Sequence, residues 1–330
     1  MRTTTVFTRV ISARRSAVPV LALLTSAIVT GCGTPAPATA PSASGFPLTI
    51  SSCGRDVTFS SPPQRVVTVG SIAAPLIAAA GAAGRIVTRT FEAAAFPGQY
   101  GEALQGIEIT APTAELAREE IISRAPDLVV SVEGLSVTPD DLAQVGIPLI
   151  VTRGYCRDAA GTFEDVFADI ALYGKLFGTE SAADTEVTTL KQRVQAVTER
   201  HSGTTTPRPA AALILSRDGA QLKAYGAKST VHEQLKILGL GNVYGQIDKR
   251  NFEANTETLI AADPEVIILL TQGDQTPDSV RTALRQRPEL AGLRAIRENR
   301  IIVAPFGYTG PGPVAVEGLE VLDRELAQLR

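Results

Sequence analysis

The 330-residue sequence has no tryptophan, two histidines, one methionine and three cysteines, and aromatic residues make up 5% of it. His201 and His232 alone cannot build a His-rich metal cage. Basic residues are also scarce where they would count. Of 31 Lys and Arg, four (Arg2, Arg9, Arg14 and Arg15) fall in the first 31 residues, which carry no acid. The rest of the chain sets 27 basic residues against 34 acidic ones. A nucleic-acid partner is disfavoured, because neutralising phosphates requires a basic face. No Gly-x-Ser-x-Gly elbow, no Gly-rich loop ending in Lys-Ser/Thr and no HExxH pattern occurs, which argues against an enzyme. The hydrophobic share of 44% and charged share of 20% are those of a globular chain, long enough for two domains.

The short apolar run from Ala17 to Val29 cannot span ~30 Å of hydrocarbon as a helix, which needs about 20 residues. Preceded by Arg14-Arg15, it reads as an export signal over residues 1–31. Val29-Thr30-Gly31-Cys32 resembles the lipobox of bacterial lipoproteins, with Val29 where Leu is usual; the resemblance implies lipidation at Cys32. An ordinary secretory signal with a chance cysteine is the alternative. Residues 32–47 are uncharged and rich in Pro, Ala, Ser and Thr, so they read as a flexible tether from lipid to folded body. Cys53 and Cys156 remain, and in an oxidising exterior two such cysteines most often pair; two unpaired buried thiols are the alternative.

Strand and helix patterns alternate through the body. Arg65–Val69, Leu128–Ser131, Pro148–Val151, Ala211–Leu215, Val266–Leu270 and Ile301–Val303 read as strands. Helices are expected over Ile72–Ala80 and Asp140–Val145, from Thr230 to Gly239, where Thr230 and Glu233 have capping-box spacing, and over Val314–Gln328. The rhythm implies parallel sheets with right-handed crossovers. One stretch recurs at an offset of 138: Glu119 to Val130 lies on Glu257 to Ile268, each with Glu, six residues, Pro, an acid and an apolar strand. Two copies imply two similar α/β lobes, 48–160 and 204–330. Between them, 161–203 reads as a helical segment: an apolar face from Phe163 to Phe177, a break at Gly178, and a second helix from Glu180 to His201 that Thr179 can cap. That helix would be a stiff rod about 30 Å long between the lobes.

Taken together, Pro63-Gln64-Arg65-Val66-Val67, Pro126-Asp127-Leu128-Val129, Gly146-Ile147-Pro148, Leu238-Gly239-Leu240-Gly241-Asn242 and Asp263-Pro264 resemble, in order and spacing, the substrate-binding lipoproteins of ABC importers for ferric siderophores, haem and vitamin B12. The resemblance runs over roughly 54–328. It implies the helical-backbone fold: two Rossmann-like lobes joined by one long helix, a ligand cleft between them, and on each lobe a glutamate that docks on permease arginines. The repeat places those glutamates at Glu119 and Glu257, with Glu120 as the neighbour that could be mistaken for the first. The bland alternative is that both cap their helices.

Ligands of open α/β lobes sit beyond the carboxyl ends of the strands. The loops expected there contain Arg89, Tyr100, Arg153, Tyr155, Arg217, Tyr225 and Tyr308, which become the candidate ligand-binding residues. Arginine and tyrosine are the natural platforms for a chelate whose iron already has its oxygen shell. The arginines favour a ferric siderophore, with haem second; haem would need a tyrosine or His232 as axial ligand. Cobalamin, or a surface scaffold or sensor without transport, remain as further readings. No cofactor and no direct protein metal ligand is expected, and the protein is read as a monomer on the extracytoplasmic face of the membrane.

Overall fold

The computed structural model describes residues 45–92, 96–111 and 115–329. The expected signal, most of the tether and Cys32 lie outside the described residues. The first described element is a hairpin of β1 (Leu48–Ser52) and β2 (Arg55–Phe59), paired antiparallel. Its turn is Cys53-Gly54, both with positive φ, as a tight two-residue hairpin turn requires. The turn projects Cys53 to Cys156, and the two form a disulfide with a Cα–Cα distance of 5.3 Å.

The first lobe contains β3 (Val66–Val69), α1 (Ala73–Ala79), β4 (Ile86–Thr90), α2 (Gly98–Ala103), α3 (Arg118–Ser123), β5 (Leu128–Ser131), α4 (Pro139–Ala143) and β6 (Leu149–Val151). Its four strands run parallel in the order β4-β3-β5-β6. Every residue of β3 and β5 is buried, the pattern of central strands covered on both faces. The order reverses direction between β3 and β5, which opens a crevice beyond their carboxyl ends.

Two helices follow. In α5 (Phe163–Phe177), Thr162 and Asp165 form a reciprocal capping box at the start, and Gly178 ends it in the left-handed region. The second, α6 (Glu180–His201), has 22 residues and runs about 33 Å. Ala183, Leu190 and Val197 recur every seven residues as its buried stripe. Thr179 does not cap α6: its hydroxyl has no hydrogen-bond partner, because the tight turn at Gly178 holds Thr179 at φ −123°, ψ 31°, outside the extended region a capping residue needs.

The second lobe contains β7 (Arg208–Leu215), β8 (Leu222–Tyr225), α7 (Thr230–Ile237), β9 (Leu240–Asn242), β10 (Asn251–Glu253), α8 (Thr256–Ala262), β11 (Val266–Thr271), α9 (Pro277–Arg285), α10 (Arg294–Arg297), β12 (Ile301–Pro305) and α11 (Val314–Gln328). The sheet order is β10-β8-β7-β11-β12, with β9 on the lower part of β7. β7, β9, β11 and β12 are parallel, whereas β8 and β10 form an antiparallel edge. Ser229, not Thr230, caps α7; the Thr230 hydroxyl donates to the Gly161 carbonyl, and Glu233 accepts from the Phe163 N–H. The capping-box spacing thus serves contacts to the start of α5.

One core runs through α1, α5, α6, α7 and α11 and one face of both sheets; the outer faces form two smaller cores. α6 joins α11 by paired charges: Arg193 Nε and Nη2 donate to Glu320 at 2.9 and 2.7 Å, and Arg200 and His201 both meet Asp323. Among the described residues, no helix is long and apolar enough to cross a membrane.

Candidate functional site

The carboxyl ends of the parallel strands of both sheets face one cavity of about 550 Å³. Gly70 and Ser71 follow β3, Phe91 follows β4, Val132 follows β5, and Tyr155 comes from the turn after β6. From the other lobe, Ser216 and Arg217 follow β7, Gln272 follows β11, and Phe306 follows β12. The antiparallel edge adds Lys223 and Tyr225 from β8 and Asn251 from β10. Lys223 and Tyr225 are two apart on one strand, so they share a face. A smaller cavity of about 140 Å³ shares Ser71, Gln272 and Phe306 with the first and adds Phe96 and Tyr308.

Among the described residues, the lining has two cations, Arg217 and Lys223, and no acid. Among the described residues neither cation has an acidic partner within ion-pair distance. Gly273, at φ +60°, gives the Arg217 side chain room: a Cβ there would lie 3.0 Å from its Nη2. Burial raises the pKa of both Tyr155 and Tyr225, so both phenols stay protonated and act as hydrogen-bond donors. The site therefore offers positive charge and phenolic O–H groups on an aromatic wall.

Arg217, Tyr155 and Tyr225 are thus brought together as the sequence suggests, and Tyr308 stands in the adjoining cavity with its hydroxyl 3.3 Å from Glu317 Oε1. The other candidates are placed elsewhere. Arg89 is not in a loop: β4 extends to Thr90, and its buried guanidinium donates to Glu92 at 2.9 Å. Burial outweighs that pairing and pushes the Glu92 carboxyl up to about 7. Tyr100 is buried on α2, where its hydroxyl donates to Glu186 of α6 at 2.5 Å. Arg153 turns to Asp169 of α5, 3.7 Å from its Nε, and lines a separate cavity of about 240 Å³ beneath the disulfide. His232 faces the Asn242 amide at 3.3 Å and packs against Gly245; it lines none of these cavities, and burial lowers its pKa.

Phe91, Lys223, Asn251 and Phe306 were missed. The apolar-polar-apolar order of Leu222-Lys223-Ala224 is the sequence signal for Lys223, in a segment where no strand is expected.

Glu119 and Glu257 both stand in the first turn of their helices, α3 and α8, and both are exposed. Neither caps its helix. Glu120 Oε2 accepts from the Ala117 N–H at 3.3 Å, and Asn255 Oδ1 accepts from the Thr258 N–H at 2.9 Å. Glu119 lies 3.8 Å from Arg118, while Glu257 has no ion-pair partner among the described residues.

A family model described as periplasmic binding protein matches residues 66–308, spanning both lobes and the joining helices. The chain belongs to the periplasmic binding protein family. Its fold matches an ABC-type Fe3+-hydroxamate transport system protein from Saccharomonospora viridis at 36% identity and a TM-score of 0.75, covering 85% of this chain and 99% of that one. A periplasmic haem-binding protein from Roseiflexus, at 22% identity and a TM-score of 0.65, covers 81% of this chain and 98% of its own. The vitamin B12-binding protein of Vibrio cholerae, at 15% identity and a TM-score of 0.62, likewise covers 81% and 98%. The last two similarities bear on the fold alone. The search of curated proteins gave no match. Membership gives the two-lobed, helix-joined architecture its setting: this is an extracytoplasmic solute-binding protein, and its relatives are transport proteins rather than enzymes.

Proposed function

We propose that this periplasmic binding protein captures a ferric siderophore between its lobes and delivers it to the permease of an ABC importer, without catalysis and without a cofactor of its own. The observation that carries this reading is the cavity holding Arg217 and Lys223, with no acid among its described residues, against Phe91, Tyr155, Tyr225 and Phe306. A chelate with its iron shell filled presents outward oxygens and, where its ligand groups are carboxylates, negative charge, which suit that lining. The 36% identical relative, a Fe3+-hydroxamate transport system protein, supports the same class. Haem is the second reading, since Tyr155 and Tyr225 reach the cavity and a tyrosine can serve as its axial ligand. Lipid on Cys32 would hold the protein at the outer face of the cell membrane, and Glu119 and Glu257 would meet permease arginines.

Quenching of tyrosine fluorescence, used because tryptophan is absent, tests the ligand class against ferrichrome, ferric citrate, ferrioxamine B, haemin and cyanocobalamin. Saturable binding of an iron chelate is expected. Arg217→Ala and Lys223→Ala should each weaken ferric citrate by roughly tenfold, about 1.4 kcal/mol, with little change for cationic ferrioxamine B. Saturation by haemin or cobalamin alone would overturn the assignment.

A further inference from the structure

Residues 152–162 connect β6 to α5 and run as a strap between the lobes. From behind, the strap is tied covalently, Cys156 to Cys53 at the hairpin tip. From the second lobe, Arg250, just before β10, lays its guanidinium 4.5 Å over the Tyr155 ring, and its Nη2 donates to the Gly154 carbonyl. The approach is close on both sides. A Cβ at Gly161 would lie 2.8 Å from Arg250 Nη1, and one at Gly154 would lie 2.5 Å from Pro311. Lys228 of the second lobe adds a 3.9 Å approach to Asp158 of the strap. Arg250 has no acidic partner within ion-pair distance among the described residues, and burial lowers its pKa, so the ring face and the carbonyl are what satisfy its charge. It lines the open rim behind Tyr155, with Lys228 and Lys249, and not the central cavity.

We propose that Arg250 is a positioning residue: it does not touch the ligand, but it fixes Tyr155 from the opposite lobe, with the disulfide as the rigid backstop, so that the phenol stands ready in the cleft wall. The inference rests on the cleft being the chelate site. A planar cation stacked on the ring and bonded to the neighbouring carbonyl removes the rotational freedom that Tyr155 would otherwise lose on binding.

A double-mutant cycle tests this, using whichever of ferrichrome, ferric citrate and haemin binds the unmodified protein most tightly. Arg250→Met should weaken binding about tenfold, mainly through faster dissociation. In a Tyr155→Ala background the same change should add less than about twofold. Arg250→Lys keeps the charge but loses the planar fork, and should recover only part of the affinity; it also replaces Arg250→Met in the cycle should that variant fail to fold. Additive losses mean that Arg250 meets the ligand directly and overturn the proposal. Hydrogen exchange of residues 153–161 gives a ligand-free arm: Arg250→Met should speed exchange there and leave α5 and β6 unchanged. Unchanged strap exchange sinks the latch. If none of the probes binds, the proposed function falls, and the exchange measurement still decides the latch.

Discussion

The two lobes carry the same unit with different surroundings. In α3–β5 and α8–β11, Glu119 matches Glu257, Pro126 matches Pro264, and Asp127 matches Glu265. Even the strained position repeats: Ala125 and Asp263, each just before the proline, both have positive φ, at 46° and 37°. Around this unit the lobes diverge. The first has an all-parallel sheet and a disulfide-backed strap, and it gives the cleft Gly70, Ser71, Phe91, Val132 and Tyr155. The second adds the antiparallel β8–β10 edge and supplies the cavity's Arg217 and Lys223. The repeated element sets the scaffold and its exposed glutamates, whereas the cavity lining comes from loops and edge strands that are not repeated.

The largest expected effect tests what the lobes share. Under the proposed docking role, Glu119→Ala combined with Glu257→Ala should cut uptake by roughly two orders of magnitude or more, because each lost carboxylate leaves a permease arginine unpaired. Chelate affinity of the isolated protein should stay unchanged. Singly, Glu257→Ala should cost more than Glu119→Ala, since Arg118 already draws on Glu119 at 3.8 Å. Uptake that survives the double change would favour a scaffold or sensor.

The next effect belongs to the first lobe alone. The Cys53–Cys156 bridge spans 103 residues, and closing a loop of that length contributes about 4–5 kcal/mol in the chain-entropy account. Cys53→Ser with Cys156→Ser should lower denaturant stability by several kcal/mol on that basis. A loss under about 1 kcal/mol would show that the hairpin and strap hold without it.

A pH titration also reads the first half of the chain. Asp169 of α5 is buried, and burial pushes its carboxyl up to about 7, with the Arg153 N–H and guanidinium pulling the other way. In the unfolded chain it titrates near 3.9. Between those values the unfolded chain releases a proton that the fold retains, so stability falls as pH rises from about 4 to about 7 and then levels off. The span is of order 4 kcal/mol at most, and Glu92, also pushed up to about 7, adds to it. Asp169→Asn keeps an acceptor for the Arg153 N–H and should flatten much of the slope in thermal melts between pH 4 and 8. An unchanged slope would remove Asp169 as its source.

The fold was legible because burial on both faces forces continuous apolar runs such as Val66–Val69 and Val266–Leu270, and because Gly178, Pro126 and Pro264 mark element ends by backbone constraint alone. The site was legible only in part. Tyr155, Tyr225 and Arg217 follow from the rule that ligands lie beyond strand ends. Arg89 and Tyr100 lie away from the cavity; side-chain type does not reveal whether a partner such as Glu92 or Glu186 satisfies the group internally. Lys223 and Asn251 lie on an antiparallel edge that breaks the alternation of strand and helix, so the rhythm passed over them.

The smallest expected difference separates the matched acids. Asp127, on the exposed side of its lobe, accepts the backbone N–H groups of Gln64 and Arg65 at 2.7 and 2.8 Å. Glu265, largely buried, joins Arg208, Arg294 and Arg300 at 3.2, 3.1 and 2.9 Å. Truncating Asp127 leaves two donors that water can reach, so Asp127→Ala should cost about 1–2 kcal/mol. Truncating Glu265 leaves three guanidinium groups crowded together without their common counter-charge, so Glu265→Ala should cost about 1 kcal/mol more than Asp127→Ala. Because three cations repel most when unscreened, the excess should shrink as salt rises, while the Asp127→Ala cost stays nearly constant. Equal costs at all salt concentrations would mean that the arginine cluster contributes only packing, and that the two acids do the same work in both lobes.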